Sequence, residues 1–205
     1  MLPPTLLGLT ADSLRLFVHY GAATRVGGGG YDRGADPIAA GAAGIGTALH
    51  MALAIFGMGL LLGLDTLVSH AYGAGDHRDC HRWLVHGLLL AAGVAVPITA
   101  VCVGLLAVLV ALGVHPDVMQ LLRDYFAVIL WSTLPLLLYA AVRRYLQGIH
   151  AVAPVAFALV TANLINAGAN YLFIFGGPGI PALGVSGAAW ATFVSRLYLL
   201  LVLWL

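Results

Sequence analysis

Long apolar runs alternate with short polar breaks along this chain, and the runs are too long for the interior of a water-soluble fold. A hydrocarbon core about 30 Å thick is crossed by about 20 apolar residues in an α-helix. Five stretches reach or approach that length: residues 41–64, continuing helically to 72, then 83–112, 126–142, 155–175 and 183–205. The segments between them carry the usual breakers, YGAGDHRD at 72–79, GVHPD at 113–117 and GGPGIP at 176–181. Backbone in lipid must satisfy its own hydrogen bonds, and the alternation of a membrane β-barrel is absent, so the stretches are predicted helices. Pro97, inside the second stretch, predicts a kink. Gly59 and Gly63 have the spacing of a close helix contact.

The two ends fit this pattern less well. In residues 1–33, Asp12, Arg15 and His19 interrupt the apolar run, and the glycines at 27–30 with Asp32 and Arg33 form a polar tract. Two readings stay open: a marginal first span, or a first helix that has been lost. No basic n-region precedes the apolar residues, which argues against a signal peptide. The fifth stretch closes on LYLLLVLWL with no Arg or Lys to anchor it. The chain therefore reads as a fragment: an all-α, polytopic membrane bundle of five clear spans plus a doubtful first one, with 1–33 as an atypical amino-terminal segment.

Composition names the solvent. The chain is 61% hydrophobic and 8% charged, with a mean hydropathy of +0.99, against about 45–50% and about 25% for soluble domains. Lipid must surround it. A net charge of +1 gives no reason to expect a nucleic-acid partner. Cys80 falls in a polar loop and Cys102 in an apolar run, which makes a disulfide implausible. Cys80 also lies among His70, His77, His81 and His86, but their spacing fits no closed zinc site. No catalytic residue, metal or cofactor is expected. Arginines concentrate at 78, 82, 143 and 144, so the positive-inside rule turns 72–82 and 143–153 toward the cytoplasm.

Polar side chains at membrane depth normally face a bundle interior or a wet cavity. Asn163, Asn166 and Asn170 fall within a stripe of about 60° on one helix face at 100° per residue. They are candidates for a cavity wall offering amide oxygens to a cation, or for hydrogen bonds between helices. Asp65 shares a face with Ser69 and Tyr72; it is a candidate cation ligand, one half of a cytoplasmic gate, or an interfacial acid bonded to loop amides. Arg196, with Thr192 and Ser195 on its face, needs a partner, either Asp65 or an acid outside this lobe. Its other course is to snorkel toward the interface. Gln147 either lines a substrate path or caps a helix.

Three blocks carry a family resemblance: GMGLLLGLDTLVSHAYGAGD at 57–76, RRYLQGIHAVAPVAFALVTANLINAGANYLFIFG at 143–176 and GIPALGVSGAAWATFVSRLYLLL at 179–201. In order and spacing they resemble helices two to six of multidrug and toxic compound extrusion (MATE) transporters, over residues 34–205. His70 stands where the family pattern has Gln. The resemblance implies one six-helix lobe of a two-lobe, cation-coupled antiporter, with its carboxy-terminal lobe missing. Na⁺ or H⁺ would be the coupling ion, drugs or organic cations the substrates, and a bacterial inner membrane the location. Family members have a polar pair at the positions of Asn166 and Asn170, in some an Asp at the second; Asn170 cannot titrate. The rival readings are an intramembrane enzyme built on Asp65 and a His, and an inactive half-transporter.

Overall fold

The computed structural model describes residues 37–113, 116–177, 179 and 181–204; the doubtful first span at 1–33 lies outside them. Among the described residues the apolar stretches become seven helices: α1 (Pro37–Leu60), α2 (Gly63–Gly73), α3 (His77–Ala111), α4 (Pro116–Ile129), α5 (Thr133–Gly148), α6 (Val152–Phe175) and α7 (Gly184–Trp204). Merged where they run on, they give five spans long and apolar enough to cross a bilayer: Gly44–Gly73, His77–Ala111, Val118–Gly148, Val152–Phe175 and Ser186–Trp204.

Two spans are broken where the hydrophobic pattern runs on. Between α1 and α2 the N–H groups of Leu61, Leu62 and Leu64 bond three residues back, to Met58, Gly59 and Leu61, at 3.2, 3.1 and 3.2 Å. That is the tighter 3₁₀ spacing, and it replaces the continuous helix expected to residue 72. A methyl group added at Gly59 or Gly63 would meet nothing within 4 Å, so among the described residues this pair makes no close helix contact; it flanks the break. The second break is a 3₁₀ turn, Leu130–Ser132, between α4 and α5. Its cause lies four residues on from Trp131, because Pro135 has no N–H to give the Trp131 carbonyl.

Two helices start earlier than expected. The α4 helix opens at Pro116, a residue suited to a first helical position, and keeps Arg123 and Asp124 on its exposed side. The α3 helix opens at His77, where the Asp76 carboxylate caps it by accepting from the Asp79 N–H at 3.0 Å. Gly75, at φ 75°, makes the preceding turn. Cys80 therefore lies in a helix and not in a solvated loop: it is 1% exposed, and its thiol donates to the Val68 carbonyl. Through Pro97 the α3 helix runs without interruption.

The α4–α5 span forms the central column, with 61% of its apolar window buried against 17% for α3 and for α6. Around it, α3 and α2 pack on α5, α1 on α4, and α7 on α4, α5 and especially α6. Glycines set the closest approaches. A Cβ at Gly57 would sit 2.6 Å from Ile98 Cδ1, and one at Gly148 would sit 2.8 Å from Val68 Cβ. Phe56, Leu89, Val96, Trp131, Phe157 and Leu164 stay exposed on the outside, as suits a lipid solvent.

Candidate functional site

The helices α6 and α7 hold a chain of side-chain amides. Asn170 Nδ2 donates to Asn166 Oδ1 at 2.9 Å, Asn166 Nδ2 donates to Ser195 Oγ at 3.1 Å, and the Ser195 hydroxyl donates to the Ala191 carbonyl at 2.8 Å. The i, i+4 spacing stacks the two amides on one face, and Ser195 ties that face to α7. Every link donates in one direction, so the series begins at an acceptor with no donor: Asn170 Oδ1 is buried and unbonded. Asn163 stands apart from this group. It is exposed, and its amide donates to the Leu159 carbonyl of its own helix at 2.9 Å. Thr192 likewise bonds within its helix, to the Ala188 carbonyl at 3.0 Å.

Arg196, next along α7, faces a different cluster. It is 9% exposed and its Nη1 donates to Ser132 Oγ at 2.5 Å. Ser132 in turn donates to the Ile129 carbonyl, an acceptor in the turn that Pro135 opens. Beside it, His50 Nε2 shares a hydrogen bond with Thr133 Oγ1 at 3.2 Å, and Thr47 Oγ1 one with the Tyr125 hydroxyl at 3.1 Å. His50, Ser132 and Thr133 are at most 1% exposed. The sequence reading passed over these residues. The signal for them was a His inside an apolar run and a Ser-Thr pair before a proline.

Asp65 sits at the other end of α5. Arg144 Nη1 donates to Asp65 Oδ2 at 3.4 Å and to Gln147 Oε1 at 3.4 Å. Asp65, Thr66, Ser69, Gln147 and Gly148 line a shallow cleft there. From Ser132 to Gln147 the column rises about 22 Å at about 1.5 Å per residue. That separation rules out the Asp65–Arg196 pair considered from sequence: each residue has its own partner at an opposite end of α5. It also sets Asp65 apart from His50, which bonds Thr133 at the far end of that helix. Among the described residues no three His, Cys, Asp or Glu side chains gather as a metal site.

Comparison with known proteins bears on the family and the fold. A family model described as MatE matches residues 16–172, so the match enters the amino-terminal segment set apart above. A probable multidrug resistance protein NorM of Synechocystis sp. is 31% identical over 82% of this chain, and one of Bradyrhizobium diazoefficiens is 33% identical over 78%. Those alignments cover 38% and 34% of the relatives, so the chain spans little more than a third of their length. Two solved structures share the fold at 19% identity, each covering 98% of this chain and 42% of its own. One, at a TM-score of 0.72, is an outward-facing multidrug resistance MATE transporter of the MOP superfamily. The other, at 0.73, is a MOP superfamily transporter from Pyrococcus furiosus Vc1 whose binding pocket is described as of reverse polarity. With five apolar spans and a family model matched over most of its length, the chain belongs to the MatE family, whose members are multi-pass membrane transporters and not enzymes.

Proposed function

We propose that this chain supplies the amino-terminal lobe of a cation-coupled exporter, in which Na⁺ or H⁺ moving inward drives drugs or organic cations out. The reading rests on the Asn170–Asn166–Ser195 series, which begins at a buried amide oxygen with no donor among the described residues. An acceptor left open at membrane depth is costly unless a cation or a donor fills it. Binding there favours one of two lobe arrangements only to the extent that the ion prefers it. A second lobe completes the cleft, and the helix ends and turns at 72–82 and 143–153 face the cytoplasm. In that orientation Asp65, Arg144 and Gln147 form the inner gate, while Asn163 and Thr192 contribute to the cavity wall.

Efflux of a fluorescent organic cation from cells tests the reading, in a transporter that carries this lobe together with a carboxy-terminal one. Asn166→Leu and Asn170→Leu should each abolish efflux at unchanged membrane abundance, and efflux should depend on the Na⁺ or the proton gradient. Normal efflux by both variants would remove the amides from the site.

A further inference from the structure

Among the described residues Arg196 is a buried cation with no anion beside it. The described carboxylates are engaged or exposed elsewhere: Asp65 with Arg144, Asp79 with Arg82, Asp76 as the α3 cap, and Asp124 on the open side of α4. Around the guanidinium stand the Ser132 hydroxyl and, within electrostatic reach, His50 and Tyr125. A charge held in such a place is destabilising until a counter-charge and further hydrogen bonds meet it.

The hydrogen bonds already made define the shape of what is missing. Ser132 takes Nη1, and among the described residues no partner is given to the edge formed by Nε and Nη2. Those two nitrogens carry parallel N–H donors, the fork that a planar carboxylate accepts with both oxygens. The neighbouring hydroxyls are spent on one another and on backbone: Ser132 on the Ile129 carbonyl, Thr133 on His50, Tyr125 on Thr47. What access the cluster keeps is at Arg196, 9% exposed, while Ser132 has none.

We propose that the free edge of Arg196 is a carboxylate-binding site in the lobe interior, taking the carboxylate of a small solute or of a transported molecule. The site stands independently of the cation-exchange reading, since it uses no atom of the amide series. It sits behind that series: Ser195 turns to α6, and Arg196, one residue on, turns to the 3₁₀ turn in the central column.

The test uses the purified full chain in detergent, with melting temperature measured in sodium acetate, sodium benzoate and sodium chloride at equal ionic strength. Wild type should melt about 2–4 °C higher in acetate than in chloride, and Arg196→Gln should lose that difference. A rise in acetate alone identifies a small solute as the ligand; a rise in benzoate as well admits a larger carboxylate-bearing molecule. Equal melting in all three salts overturns the proposal and points to a carboxylate of the protein itself as counter-ion. An equal rise in Arg196→Gln overturns it as a bulk salt effect. Should that variant not fold, Arg196→Lys keeps the charge without the fork. Labelled benzoate should then bind wild type saturably, be displaced by acetate, and bind Arg196→Lys at least about tenfold more weakly; equal or absent binding overturns the site.

Discussion

Replacing Gly187 with Ala isolates the contact that lets the amide series form. A Cβ at Gly187 would fall 2.6 Å from the Phe173 carbonyl carbon and 3.0 Å from the Ile174 nitrogen, with the Phe173 oxygen closer still. These are backbone atoms of a packed helix, so no rotamer change relieves the clash. The helices α6 and α7 must separate by a large fraction of an ångström, and Asn166 and Ser195 stand farther along the same interface. Gly168 is the control. It lies on α6, is exposed, and a Cβ there would meet nothing within 4 Å. Both substitutions gain the helix preference of Ala, about 0.5–1 kcal/mol. That gain cancels in their difference, leaving the overpacking cost of about 1–3 kcal/mol against Gly187→Ala. For a chain of this size each kcal/mol moves the melting temperature by about 2–4 °C. The protein carries its own reporter. Cys80 and Cys102 are free and at most 1% exposed, so a thiol-reactive dye responds only on unfolding. Gly168→Ala should melt above wild type and Gly187→Ala below it. Equal melting temperatures for the two variants would refute the close approach of α6 and α7 at Phe173.

Two further tests probe the two ends of α5. Thr133→Val keeps the shape but leaves His50 buried without its partner, and should cost about 1–3 kcal/mol in the same thermal assay; a neutral result would mean that His50 bonds elsewhere. The Asp65–Arg144 pair is long at 3.4 Å, and its side chains keep 34% and 26% exposure. A double-mutant cycle with Asp65→Asn and Arg144→Gln should therefore return less than about 1 kcal/mol of coupling; a larger value would show a gate held by charge and not by the packing of Val68 on Gly148.

The spans were legible because their signal is one-dimensional: 20 or so apolar residues between breakers mean the same thing in any bundle. Within a span the code is weaker. Hydropathy does not distinguish a continuous helix from one broken at Leu61–Leu62 or at 130–132: the first break is wholly apolar, and Ser132 at the second does not end the apolar run around it. Pro135 was the one local clue to the second break, and it acts four residues upstream of itself. Loop chemistry misled at Cys80, because polar neighbours on one side of a helix do not expose the residue on its other side.

Partnership between helices was the least legible property. The 100° rule put Asn163, Asn166 and Asn170 in one stripe, yet a stripe about 60° wide straddles the edge of the α6–α7 contact. Two amides fall inside it and the third outside. Arg196 makes the same point at longer range. Its need for a partner follows from its place in an apolar helix, but whether that partner is Asp65 or Ser132 depends on which end of α5 the α7 helix meets. Ser132 is 64 residues away in sequence. Nothing periodic in either segment encodes that meeting; it follows from glycines and alanines that let α7 settle against the middle of the column, where Ala188, Ala189 and Ala191 are all but fully buried. The small residues set the register, and the register decides which polar groups meet.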